Sequence, residues 1–77
     1  MTIKIRTFGK LTEIVTDNVL VLENNFDTDQ LKIELQKKYP TFQNAKFALA
    51  VNNRLADGNV KLEEGDIVSL LPPFSGG

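Results

Sequence analysis

The spacing of apolar residues along the chain predicts several short strands and one main helix. Near the start, Ile3 and Ile5 alternate with Lys4 and Arg6, which is typical of a strand with one buried face. This strand is predicted over residues 2–8 and ends at Gly9. Apolar residues spaced at i, i+3 and i+4 predict a short helical turn at residues 11–15. Further strands are predicted at residues 19–22, 47–51, 54–56 and 67–71.

The main helix is predicted to begin after Asp27 and to end before Pro40. Asp27 is a good N-cap, and Gln30 three residues later completes the pattern of a capping box. We expect Glu34 and Lys38 to form an ion pair across one turn of the exposed side. The residues predicted to line the buried face of this helix are Leu31, Leu35 and Tyr39.

The element order is strand, strand, helix, strand, short strand, strand, which favours an α+β domain with one helix packed on one face of a mixed sheet. We expect this domain to span residues 1–71 and a separate extended tail to span residues 72–77. The predicted core between the helix and the sheet contains Leu31, Leu35, Val51, Val68 and Leu70.

Composition excludes several classes of function. The chain has 77 residues and a net charge of −1, which argues against nucleic-acid binding, because such binding requires a basic face. Its longest uninterrupted apolar run, residues 47–51, is far shorter than the ~20 residues that span a bilayer. The N-terminus resembles a strand and not an export signal. We therefore expect a cytoplasmic protein that binds neither nucleic acid nor membrane.

The chain contains no cysteine and no histidine. It therefore lacks thiol nucleophiles, imidazole bases and the usual ligands of zinc. The acidic residues Asp57, Glu63, Glu64 and Asp66 surround turn glycines, and we interpret them as solvated turn residues. We expect no metal or cofactor to bind to the chain itself, and we expect a partner to supply the catalytic groups for any reaction.

The last six residues form a distinctive ending. Pro72 and Pro73 cannot extend a sheet, because proline lacks the N–H group and restricts φ. They favour a stiff arm that carries Phe74 and Ser75 and ends on Gly76 and Gly77, two residues small enough to enter a narrow channel. The arm is suited to delivering its terminal carboxylate into the active site of another protein. The alternative is that the two glycines are a flexible remnant of a chain terminus.

Phe8 and Leu71 are predicted to lie on the outward side of their strands, beside the base of this arm. Exposed apolar residues beside a functional tail usually mark an interface, so both residues are candidates for binding a partner. The alternative for Phe8 is that it only covers an edge of the sheet.

Three segments together resemble the small subunit of molybdopterin synthase, which belongs to the ubiquitin-like sulfur carriers with a β-grasp fold. The ending Pro-Pro-Phe-Ser-Gly-Gly is the most specific of these segments, and the first strand with Leu11 and Glu13 also fits the pattern. The other two segments are residues 50–52 and residues 65–66 with Val68.

The resemblance implies that an E1-like activating enzyme uses ATP to adenylate the carboxylate of Gly77. A sulfur donor then converts the acyl-adenylate into a thiocarboxylate. It also implies a large synthase subunit, in a heterotetramer, that accepts the tail and transfers the sulfur to cyclic pyranopterin monophosphate. Two related functions stay open, a sulfur carrier of the thiamine pathway and a ubiquitin-like modifier of proteins. A plain binding module without terminal chemistry is a third alternative.

Overall fold

The computed structural model describes residues 1–9, 11–40 and 47–71. Its elements follow the predicted order, with boundaries that differ by a residue or two. The strand predicted over residues 2–8 ends at Thr7, and the strand predicted over residues 19–22 ends at Val21. The elements are β1 (Thr2–Thr7), α1 (Leu11–Ile14), β2 (Val19–Val21), α2 (Thr28–Lys38), β3 (Ala48–Val51), β4 (Arg54–Leu55) and β5 (Ile67–Leu71).

Within the described residues the five strands form one mixed sheet in the order β2-β1-β5-β3-β4. β1 and β5 are parallel, while the β1–β2, β3–β5 and β3–β4 pairs are antiparallel. The positive φ values of Asn52 and Asn53, 52° and 68°, produce the tight turn between β3 and β4, because asparagine tolerates this left-handed region better than most residues. The predicted α+β, β-grasp architecture is confirmed.

The core lies between α2 and one face of the sheet. Of the predicted core residues, Leu31, Leu35, Val68 and Leu70 are fully buried, whereas Val51 is half-buried and packs against the core from its margin. Among the described residues, the buried cluster consists of Ile3, Ile5, Leu11, Val15, Leu31, Leu35, Leu49, Leu62, Val68 and Leu70.

The start of α2 is capped as predicted and is also capped from a distant loop. The backbone N–H of Gln30 donates to Asp27 Oδ1 at 2.8 Å, and the N–H of Asp27 donates to Gln30 Oε1 at 3.0 Å. The pKa of the Asp27 carboxyl is lowered, mainly because it accepts this backbone hydrogen bond from Gln30. Asn59 adds a second acceptor, since its Oδ1 accepts the N–H of Asp29 at 3.0 Å. The first turn of the helix is therefore bound to the loop before β5.

The expected ion pair between Glu34 and Lys38 is wrong. Glu34 lies 4.0 Å from Lys37, while Lys38 Nζ lies 2.7 Å from Asp17 Oδ2, on the loop before β2. The hydroxyl of Tyr39 also donates to Asp17. The hydrogen bonds from Lys38 and then from Tyr39 lower the pKa of Asp17, and the hydrogen bond with Asp17 raises that of Lys38. A carboxylate that accepts two donors across the fold is a better partner for Lys38 than an exposed helix neighbour.

Leu62 lies outside every helix and strand predicted from the sequence, yet it is only 2% exposed. Its backbone N–H donates to Phe26 O at 2.9 Å, and the N–H of Thr28 donates to Val60 O at 2.8 Å. These bonds hold residues 60–62 along the start of α2 and direct the Leu62 side chain into the core. No helix among the described residues has the length and apolar character needed to cross a membrane.

Candidate functional site

The predicted tail begins where the central strand ends. β5 lies between β1 and β3, and Leu71 is its last residue. On one side, the β1–β5 register ends with Thr7 opposite Leu70, so that Phe8 and Leu71 are the next residues of their strands. On the other side, Ala48 at the start of β3 lies opposite Leu71. We call this junction of Phe8, Ala48 and Leu71 the tail base.

The tail base is partly apolar and partly accessible. The Phe8 side chain is 43% exposed, whereas Leu71 is half-buried beside it. Phe8 does not belong to the hydrophobic core, so its exposed ring is not required to fill the interior. The other predicted site residues, Pro72, Pro73, Phe74, Ser75, Gly76 and Gly77, lie outside the described residues.

The face of the sheet opposite α2, which we call the open face, extends from the tail base across all five strands. Strand alternation and the pairing register assign its residues. Among them Val19, Val21 and Leu55 are strongly exposed, which local alternation alone did not single out. Its members on the described strands are Val19, Val21, Thr2, Lys4, Arg6, Ile67, Ser69, Leu71, Ala48, Ala50 and Leu55.

The open face also carries two cations near its centre. Lys4 and Arg6 both lie on β1 and are exposed. Within the described part of the chain, the basic residues that form ion pairs are Lys37 and Lys38. Ser69, opposite Arg6, and Ala50 beyond it are small and buried. The face thus combines a flat centre, two cations and an apolar margin, which suits a partner surface with apolar and acidic groups.

The far end of β5 is held by a network of side chains. Asn52 Oδ1 accepts the N–H of Ile67 at 3.0 Å, and Asn52 Nδ2 donates to Asp66 Oδ1 at 2.9 Å. Asp66 Oδ2 accepts the N–H of Glu63 at 2.8 Å. Asn52 and Asp66, both in segments that carry the family resemblance, therefore meet where the chain enters β5. Their bonds fix the start of the strand that leads to the tail.

The acidic residues of the last turn have structural roles in this arrangement. Glu64 Oε1 accepts the backbone N–H of Thr2 at 2.9 Å, and Asp66 accepts the two bonds described above. Glu63 and Glu64 are exposed, as expected for solvated turn residues. Among the described residues, no group of three acidic, histidine or cysteine side chains is arranged to hold a metal ion.

Comparison with known proteins agrees with this fold. The model of the ThiS family matches residues 5–77. A chain of the protein–protein complex of subunits 1 and 2 of molybdopterin-converting factor from Helicobacter pylori is 32% identical, with a TM-score of 0.67 and 100% of both chains covered.

Two further solved structures resemble the chain at lower identity. Putative molybdopterin converting factor subunit 1 from Pyrococcus furiosus has a TM-score of 0.84 at 21% identity, covering 94% of this chain and 97% of its own. SAMP1 from Haloferax volcanii has a TM-score of 0.78 at 17% identity, with 100% of both chains covered. At these identities the likeness concerns the fold alone.

The fold and the position of the tail base define a ubiquitin-like β-grasp protein. Because the family model covers nearly the whole chain, the chain belongs to the ThiS family. The resemblance inferred from its sequence is confirmed at the level of this family of sulfur carriers.

Proposed function

We propose that this protein is the sulfur-carrier subunit of molybdopterin synthase. The observation that carries the proposal is the full-length match, at 32% identity, to a chain of the complex of subunits 1 and 2 of molybdopterin-converting factor. The geometry of the tail base supports it, since a tail that follows a central strand starts from a firmly held point.

The proposed chemistry takes place at the carboxylate of Gly77. A free carboxylate has no good leaving group, so an E1-like enzyme first joins it to the AMP moiety of ATP and releases pyrophosphate. A hydrosulfide equivalent, supplied by a sulfur donor through the activating enzyme, then attacks the acyl carbon, and AMP leaves. The product is a thiocarboxylate, in which one oxygen of Gly77 has been replaced by sulfur.

The large subunit then accepts the charged tail and supplies the groups that transfer sulfur to cyclic pyranopterin monophosphate. In this proposal Phe8 and Leu71 contact the large subunit, while Pro72 and Pro73 keep the tail extended and reduce the entropy lost on binding. Phe74 closes the mouth of the channel, and Ser75, Gly76 and Gly77 continue to the reacting centre. The carrier itself contributes no catalytic side chain and binds no cofactor.

The proposal is tested by charging the tail and following its sulfur. The purified chain is incubated with activating enzyme, ATP and a sulfur source, and intact-mass analysis should show oxygen replaced by sulfur at the terminus. The thiocarboxylate form, mixed with large subunit and cyclic pyranopterin monophosphate, should yield molybdopterin. Deleting Gly77, or adding one residue after it, should abolish this yield without changing the circular dichroism spectrum.

The same experiment separates the alternatives. A thiamine-pathway carrier would support thiazole formation with the enzymes of that pathway and would not yield molybdopterin. A protein modifier would form an isopeptide bond between Gly77 and lysine side chains, detectable by mass spectrometry of cell proteins. An unchanged terminal mass, under conditions that charge a known carrier, would contradict both sulfur-carrier functions and would favour the protein modifier.

A further inference from the structure

The outer side of β2 presents backbone groups that the sheet does not use. β2 is the last strand on its side of the sheet in the described structure. The N–H of Ile5 on β1 donates to Asn18 O at 2.8 Å, the N–H of Leu22 donates to Met1 O, just before β1, at 2.7 Å, and Leu20 is paired between them. Because antiparallel strands direct alternate residues towards the partner strand, Val19 and Val21 direct their N–H and C=O groups away from β1.

A groove lies beside this strand, between β2 and α2. It has a volume of about 240 Å³ and is lined by Val21, Leu22, Glu23, Phe26 and Glu34, and we call it the edge groove. Val21 is 80% exposed, while Phe26 packs partly against the core and forms the apolar floor. A strand placed next to β2 would cover Val21 and lie along this groove.

The charged groups that line the edge groove are both acidic. Glu23 and Glu34 contribute carboxylates, and no lysine or arginine lines the groove in the described chain. Lys37 lies 4.0 Å from Glu34, but both side chains are more than half exposed, and an exposed pair of this kind is weak. The groove therefore favours a ligand that carries positive charges at the ends of the ligand.

We propose that the edge groove binds an extended peptide segment of another protein, apolar at alternate positions and flanked by lysine or arginine, which joins the sheet as a strand next to β2. Main-chain hydrogen bonds to Val19 and Val21 hold such a segment, and the groove selects its side chains. A second copy of this chain fits less well, because its own β2 is preceded by Asp17 and followed by Glu23. Those acidic residues would meet the acidic groove.

The edge groove is distant from the tail base. Val21 lies opposite Thr2, at the start of β1, whereas Phe8 follows the end of that strand. Thr2 and Phe8 are six residues apart along the strand, a distance of roughly 20 Å. A peptide can therefore occupy the groove while the tail is bound by an enzyme, and the inference does not depend on the chemistry at Gly77.

The test is a nuclear magnetic resonance titration of the ¹⁵N-labelled full chain with a synthetic peptide. The peptide carries valine or isoleucine at four alternate positions, separated by serines, with two lysines at each end, and a control peptide carries glutamates in place of the lysines. We expect the lysine peptide to shift the amide signals of Val19, Val21 and Glu23, and the glutamate peptide to bind at least about tenfold more weakly.

Two substitutions of Val21 separate strand addition from simple apolar contact. Val21→Pro removes an N–H that points away from β1, a position where an edge strand tolerates proline, and should weaken peptide binding at least about tenfold. Val21→Thr keeps the N–H and the branched shape and should change binding less than about threefold. Leu55→Lys, on the opposite edge strand, is the matched surface control and should leave binding unchanged.

Reversing the charge of Glu34 tests the contribution of charge without altering β2. Glu34→Lys should weaken binding of the lysine peptide and strengthen that of the glutamate peptide, without a loss of thermal stability. Equal binding of both peptides, or equal affinity for Val21→Pro and Val21→Thr, would overturn the proposal. Concentration-dependent signal shifts at β2 without any peptide would overturn it too, since they would show that a second copy occupies the edge.

Discussion

Replacing Phe8 with alanine tests the interface that we propose at the tail base. Phe8 is 43% exposed, so of the ~200 Å² that an aromatic side chain can bury, roughly 85 Å² remains for a partner to cover. At ~25 cal/mol per Å², burial of this area contributes about 2 kcal/mol of binding free energy. The dissociation constant for the large subunit should therefore rise about 30-fold.

The same substitution should leave the fold nearly unchanged, because Phe8 does not belong to the hydrophobic core. We expect the free energy of unfolding to fall by less than about 1 kcal/mol. Isothermal titration calorimetry with the purified large subunit gives the binding constant, and urea denaturation gives the stability. Val21→Ala is the matched control, since Val21 is an exposed apolar residue at the other end of the open face.

Three outcomes would refute the reasoning. Equal affinity of Phe8→Ala and the unchanged protein would remove Phe8 from the interface. An equal loss for Val21→Ala would show that binding is not centred on the tail base. A large loss of stability in Phe8→Ala would mean that Phe8 covers the edge of the sheet, the alternative that its position in the sequence left open.

Three further predictions concern the stability of the fold. Leu62→Ala should cost about 2–5 kcal/mol in urea denaturation, because it empties a buried site, whereas Leu55→Ala on the exposed edge should be nearly neutral. Thr28→Val should cost about 1–3 kcal/mol, because Thr28 Oγ1 accepts a backbone N–H at 2.9 Å; an unchanged midpoint would show that water replaces this bond. Asp17→Asn should lower the melting temperature at about pH 7, where the carboxylate is bound to Lys38. Because the folded pKa of Asp17 is lowered, mainly by its hydrogen bond with Lys38, the stabilisation is present above the ordinary pKa of the carboxyl and is lost as the pH falls through the lowered pKa. The difference in melting temperature should therefore disappear in acid.

The sequence predicted those features of the fold that depend on interactions between residues close together along the chain. The capping box of α2 could be predicted because both of its partners lie within one turn of the chain. The burial of Leu62 could not, because it depends on hydrogen bonds between residues 60–62 and the distant start of α2. The ion pair of Lys38 was assigned to the wrong partner for the same reason: Asp17 approaches it only after the chain has folded.

The tail base depends on a local pattern in the sequence and also on the order of the strands in the sheet. Alternation along β1 and β5 was enough to predict that Phe8 and Leu71 face outward. The parallel pairing that brings these two residues side by side comes from the sheet order, which has no local signature.

That sheet order has a mechanical consequence for a carrier. An edge strand is bonded on one side and frays readily, but β5 is bonded to β1 on one side and to β3 on the other. Its start is held further by Asn52. In the function we propose, the tail is inserted into one enzyme, withdrawn and inserted into another, which would place repeated loads on β5. A central strand bears those loads without opening the core, because both neighbours would have to separate before Val68 and Leu70 became exposed.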